Sequence, residues 1–159
     1  MKLSVRAAMK ADLPGVLRLV DQIQVQHADR IPEEFLANPD QDGLRDFLQH
    51  KIDTENQILL VAEQDEALVG YLWCEIQHYP VSLFRPARSQ LYIQHVCVDE
   101  LCRQQGIATA LFEQVYICAK DNDISKVGLD TWAGNDAAQA FFRKQGFEIQ
   151  QLKYSKRLG

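Results

Sequence analysis

The sequence predicts an α/β (α+β) fold: one domain, residues 1–159, with a mixed central sheet flanked by helices on both faces. Two observations predict it. Apolar residues alternate between period-two and helical spacing in the order strand, helix, helix, hairpin, strand, helix, strand, helix, strand, which fits a mixed sheet. The 159 residues, 47% hydrophobic and 25% charged, suffice for one real core, and no repeat, low-complexity tract or linker divides them.

Taken in order, residues 3–8 read as a short strand. Asp12 is placed to cap a helix, with Pro14 in its first turn where a missing N–H costs nothing. Leu13, Val16, Leu17, Val20 and Ile23 give that helix a buried face. His27 to Asp42, with Pro32, Asn38 and Pro39, reads as a loop. A second helix carries Leu44, Phe47, Leu48 and Ile52 on one face. Gln57–Glu63 and Leu68–His78 form a hairpin about a turn at 64–66. Pro80–Ser89 is an irregular loop set over whatever binds beside the next strand. That strand ends at Val98, and residues 104–120 form a helix burying Ile107, Ala110, Leu111, Val115 and Cys118. Val127–Trp132 is a further strand, and Gly134-Asn135-Asp136 a turn and cap. A helix from Ala137 to Lys144 stops at Gly146, and Phe147–Arg157 alternates as a final strand.

Composition narrows the partners. The net charge is −5 and no basic stripe exists, so nucleic acid is not expected; Lys153, Lys156 and Arg157 read as a solvated strand face. No apolar run reaches the roughly 18 residues of a membrane span. Met-Lys-Leu-Ser-Val-Arg-Ala-Ala lacks the apolar centre of a signal peptide. Cys74, Cys97, Cys102 and Cys118 form no C-x-x-C pair, so reduced, mostly structural thiols in a cytoplasmic protein are expected, with no metal site. The C-terminal edge strand offers a surface for a homodimer.

The chemistry concentrates in Leu91–Phe112, a strand, a short turn and a helix start. Free N–H groups and the dipole at a helix start hold an anion, glycine at 106 lets a ligand approach the backbone, and Arg103 adds a forked cation. Neither G-x-G-x-x-G nor G-x-x-x-x-G-K-[ST] is present. What stands here is Arg103-Gln104-Gln105-Gly106-Ile107-Ala108 directly after an apolar strand ending in Val-Asp. This resembles the R-x-x-G-x-[GA] acetyl-CoA motif of the GNAT N-acetyltransferase family, and Ala140–Phe147 resembles that family's later A-x-x-F-Y-x-x-x-G-F signature. The resemblance is close over about residues 91–150 and looser over the rest.

The resemblance implies a GNAT-like fold and transfer of the acetyl group of acetyl-CoA, as co-substrate, to a primary amine by direct attack. It implies that the backbone of Val96, Cys97 and Val98 pairs with the pantetheine arm on a splayed strand. It implies that Arg103, Gln104, Gln105, Gly106, Ile107, Ala108 and Thr109 wrap the pyrophosphate, and that Asn135 contacts the cofactor near its thiol end. Val96 and Val98 also read as plain sheet core. One departure stands out: Phe142 occupies the position where family members often carry a tyrosine that protonates the departing thiolate. Its absence gives weight to a different reading, a non-catalytic acyl-CoA sensor; a phosphate binder unrelated to CoA is a third.

Direct attack needs a base for the ammonium proton. His95, mid-strand, is the first candidate, against a core histidine bonded to a carbonyl. Strict alternation turns Tyr92 and Gln94 away from His95, and if theirs is the substrate face His95 is structural. Asp130, on the following strand, is the second candidate, against a partner for a nearby cation. Glu75, His78 and Tyr79 either line the same cleft or lie on the surface. Tyr154 is a donor from the last strand or packing. Cys97, between valines, lacks the electropositive setting of a nucleophile. Glu33, Glu34, Asp40 and Asp42 form an acidic rim for amines or simply a solvated loop.

Overall fold

The structure, a computed structural model, describes residues 2–159. Strand β1 (Leu3–Ala7) leads through a short 3-10 turn into α1 (Leu13–Arg30), followed by α2 (Gln41–Asp53). Strands β2 (Gln57–Gln64), β3 (Ala67–Tyr79) and β4 (Arg88–Val98) come next, then a second 3-10 turn and α3 (Ile107–Asp121). Strand β5 (Val127–Leu129) and α4 (Asp136–Lys144) complete the order. The strands form one sheet in the order β1-β2-β3-β4-β5, antiparallel except for the parallel β4–β5 pair. This is the mixed sheet with flanking helices that the sequence predicts.

Alternation divides the core into two layers. Leu59, Val61 and Tyr71 face the α1–α2 side, where they meet Val16, Leu19, Val20 and Leu48. Gly70, one position on from the bulged Val69, faces the other side; a β-carbon there would lie 3.1 Å from the Ile107 side chain and 3.4 Å from Leu111 of α3. Burial of these branched side chains holds the layers together, at about 2–5 kcal/mol for each large one. The β2–β3 turn is made by Asp65 and Glu66, both at positive φ (49° and 67°), the twist that suits a two-residue hairpin loop.

The described residues form two compact units, one ending at Leu129 and one spanning Asp130–Gly159. In the second, the Asn135 side chain caps α4 by accepting from Ala138 N–H at 3.3 Å, and Gly146 follows the helix at φ +86°, both as expected. Phe142 packs edge-on to Phe141 and Phe147, with ring centroids 5.9 and 6.1 Å away.

Several boundaries differ from expectation. Helix α1 runs through His27 to Arg30, because no breaker precedes Pro32; Ile31 N–H still bonds the His27 carbonyl at 2.9 Å. Asp12 does not cap α1 with its side chain. Its carboxylate instead takes two bonds from Arg6, at 2.7 and 2.9 Å, and one from Met9 N–H. Helix α3 begins at Ile107, since Gln104 and Gly106 are left-handed (φ 63° and 80°). Strand β5 ends at Leu129, so Asp130 is not on a strand. Residues 147–157 form no strand: alternation describes two faces, but a strand also needs a backbone partner, and no ladder includes this segment. That removes the C-terminal edge strand the sequence offers for a homodimer, and it leaves Tyr154, 85% exposed, off any sheet.

Candidate active site

The loop between β4 and α3 is held from its base. Asp99, buried, accepts from Leu101 N–H at 3.1 Å and pairs with Arg18 of α1 at 2.5 Å. The hydrogen bond from Arg18 holds the Asp99 carboxyl below the usual carboxylate range. Its N–H donates to the Val69 carbonyl at 2.8 Å, fixing the loop to β3. From this anchor the chain passes exposed Arg103, Gln104, Gln105 and Gly106 and enters α3. No side chain caps α3 at Gly106, and a β-carbon on Gly106 would meet nothing within 4 Å. Among the described residues no side chain caps the first N–H groups of the helix, the groups from which an anion at a helix start accepts. Arg103 donates to Gln26 Oε1 at 3.2 Å, which sets its guanidinium beside α1. Ile107 is fully buried, and Ala108 and Thr109 are half-buried.

Strand β4 comes apart from β5 immediately before this loop. The parallel ladder pairs Leu91, Tyr92 and Ile93 with Val127, Gly128 and Leu129, and stops. Among the described residues, Gln94–Val98 have no β5 partner, so their backbone edge on that side is left for another chain of polar atoms. On the other side His95–Val98 stay paired with β3, through Gly70↔Val98, Tyr71↔Cys97, Leu72↔Val96 and Trp73↔His95.

A bulge sits at the point of separation. Trp73 lies opposite His95, yet Cys74 lies opposite Ile93, so Gln94 is an extra residue in β4. The expectation that Tyr92 and Gln94 point away from His95 assumed strict alternation, and the bulge overturns it. Tyr92 lies opposite Glu75, which shares the face of Trp73, and Gln94 Nε2 donates to Glu75 Oε2 at 3.1 Å. Tyr92, Gln94 and His95 thus address one face.

His95 is solvent-exposed on that face, with its ring edge-on to Trp73 at 5.5 Å and its Nδ1 3.4 Å from the Tyr71 hydroxyl. Dense surroundings strip hydration from the imidazolium, and nearby His27 adds repulsion, so the pKa falls below 6.5. His95 is therefore neutral at pH 7 and able to accept a proton. Burial raises the Tyr71 hydroxyl, which stays protonated. Trp73 Nε1 donates to Gln57 Oε1 at 2.6 Å, and Trp73 also meets Phe47 edge-on at 5.1 Å. Cys97 is buried, its thiol pushed up to about 12 chiefly by burial, with Sγ directed at the Leu19 carbonyl at 3.5 Å. It has the character of packing, not of a nucleophile. Asp130 is exposed and, with Asn135, belongs to the second unit. Tyr71, Trp73, Gln57 and the Arg18–Asp99 pair were not singled out from sequence; Tyr71 and Trp73 carried a signal, two aromatics at period two beside the candidate strand.

A loop that opens a helix start, continuous with a strand unzipped from its parallel neighbour, is the feature by which this mixed sheet is classed. The chain matches the acetyltransferase (GNAT) family over residues 24–147 and belongs to that family. It is 32% identical over 103 residues to the L-amino acid N-acetyltransferase AaaT of Escherichia coli (strain K12), covering 63% of this chain and 60% of that protein. It is 32% identical over 105 residues to N-acetyltransferase 8 of Homo sapiens, covering 66% of this chain and 44% of that protein. The chain thus spans less than two thirds of the length of either relative. Among solved structures, a mutant BH1408 protein from Bacillus halodurans superposes with a TM-score of 0.92 at 25% identity, over 98% of this chain and 99% of that one. AAC(6')-Iy in complex with a CoA bisubstrate analog superposes at 0.78 with 21% identity, over 99% and 100%. Among the described residues no helix is long and apolar enough to cross a membrane.

Proposed function

We propose that the whole chain acts as one N-acetyltransferase domain that moves the acetyl group of acetyl-CoA to a primary amine. The observation that carries this reading is the ladder that stops at Ile93↔Leu129, directly ahead of the Arg103–Thr109 loop. Family membership and the names of the relatives support it.

The residues fit such a co-substrate. Arg103, Gln104, Gln105, Gly106, Ile107, Ala108 and Thr109 would hold the pyrophosphate, chiefly through backbone N–H groups, with Arg103 as the cation. The free edge of Val96, Cys97 and Val98 would bond the pantetheine amides as an added strand. Asn135 is assigned to the thiol end. The amine nitrogen bonds to the acyl carbon, the C–S bond breaks and the thiolate leaves. Its conjugate thiol has a pKa of about 8.5, low enough for departure without the acid that Phe142 does not provide. His95, neutral at pH 7, takes the ammonium proton, directly or through water; Asp130 is the second candidate. Four free cysteines suit a reducing compartment, and we place the activity in the cytoplasm.

The test is incubation with acetyl-CoA and an amine panel, following free thiol. Thiol release that depends on the amine is expected. CoA binding without turnover across the panel would replace this reading with an acyl-CoA sensor, and no CoA affinity would remove both.

A further inference from the structure

Resting on the acetyl-transfer reading, we propose that Glu75 is the cation-recognition residue of the acceptor site, and that the acceptor is a diamine or polyamine. One amine attacks while a second, still protonated, is held by Glu75.

The carboxylate of Glu75 is built into a ladder of amides. Gln94 Nε2 donates to its Oε2 at 3.1 Å and Gln77 Nε2 to the same oxygen at 3.3 Å. The orientation of the Gln77 amide is fixed from behind, because its Oε1 accepts from Gln90 Nε2 at 2.8 Å and from the Tyr79 hydroxyl at 2.7 Å. Oε1 of Glu75 takes no hydrogen bond from the described residues, and Glu75 forms no ion pair among them. Two cations lie on the same side, and both are engaged with rings. The Lys51 ammonium stands 4.7 Å from the centroids of Phe47 and of Trp73, and the Arg88 guanidinium 4.3 Å over Tyr79. A half-buried carboxylate, oriented by two donors and lacking a counter-ion, is a preformed seat for an ammonium.

Its place on the strand separates it from the attacking nitrogen. Glu75 is two residues beyond Trp73 on one face, a step of about 7 Å along a strand. Trp73 lies opposite His95, at the splay, whereas Glu75 lies opposite Tyr92, where β4 is still zipped to β5. A cation at Glu75 is therefore a second group of the acceptor, one short alkyl span from the amine at His95.

The experiment compares diaminobutane, butylamine and aminobutyrate as acceptors, following thiol release. The wild type is expected to favour diaminobutane over butylamine roughly tenfold or more in kcat/KM, mainly through KM. Glu75→Gln is expected to erase that preference without changing the KM for acetyl-CoA, and Glu75→Asp to restore part of it. Glu113→Gln, removing an exposed carboxylate on α3, is expected to keep it. The preference is a ratio within one preparation, so partial unfolding does not mimic its loss. No diamine preference in the wild type, a preference for aminobutyrate, or a preference that survives Glu75→Gln overturns the proposal while acetyl transfer stands. Thiol release with none of the amines overturns both.

Discussion

Arg18 of α1 pairs with Asp99 at 2.5 Å and donates to the Leu68 carbonyl at 2.9 Å, so one guanidinium joins the first long helix to the base of the β4–α3 loop. Asp99→Asn is expected to cost about 1–3 kcal/mol, toward the lower end because Arg18 is half exposed to solvent screening. It is also expected to weaken CoA binding several-fold. The folded carboxyl titrates below its unfolded value, so its contribution is full above the unfolded pKa and is lost as pH falls through the folded one. Chemical denaturation of both proteins from pH 7 down to strong acid checks this: the difference between them shrinks in acid and vanishes when the wild-type carboxyl is protonated.

Gly106 holds a left-handed conformation with open space beside it. Gly106→Ala meets no protein atom, so it carries only the backbone strain of about 1–2 kcal/mol and stays folded. Gly106→Glu adds bulk and a negative charge where the pyrophosphate is proposed to lie. Calorimetry is expected to show CoA affinity reduced by the alanine and abolished by the glutamate.

His95 is already neutral at pH 7, because its pKa lies below the ordinary 6.5. If it is the base, His95→Ala lowers kcat tenfold or more with CoA affinity unchanged. The acid limb of the wild-type rate profile then falls below pH 6.5 and disappears in the variant. The same group acts on stability in a known direction. Between the folded pKa and 6.5 the unfolded chain binds more protons, so stability rises with pH across that window. Rates unchanged at both neutral and high pH would move the role to Asp130 or water.

The Cys97 thiol, buried and raised to about 12, is inert on this geometry. Cys97→Ala is expected to keep kcat within about threefold while losing roughly 1 kcal/mol of stability to the small void. Mass spectrometry after mild alkylation of the wild type at pH 8 is expected to find Cys102 and Cys118, both partly exposed, labelled before Cys97.

The strand–loop–helix from Tyr92 to Phe112 was legible because its signals are local: an apolar run, an Arg, a Gly, then helical spacing. The late start of α3 was not, since the left-handed Gln104 is a non-glycine exception to the usual preference. The split of β4 from β5 is a matter of pairing between distant segments, which alternation in either one does not encode. Phe147–Arg157 shows the same gap from the other side, carrying a strand's pattern without a strand's partner. Asp12 had the residue type and position of a cap, and Arg6, from the preceding strand, took its oxygens instead. The relation of His95 to Tyr92 was read with the wrong parity because a bulge is a single silent residue.

That residue gives β4 two reading frames. Before Gln94 the even positions Gln90 and Tyr92 look toward the wall that carries Tyr71, Trp73, Glu75 and Gln77; after it the odd positions His95 and Cys97 do. Deleting Gln94 would merge the frames and carry the first half of the strand across the sheet, with Leu91 and Ile93 emerging where Gln90 and Tyr92 now stand. Replacing Gln94 by any other side chain would leave both frames in place. What assigns the two halves of β4 to one wall is a count of residues, not the identity of any of them.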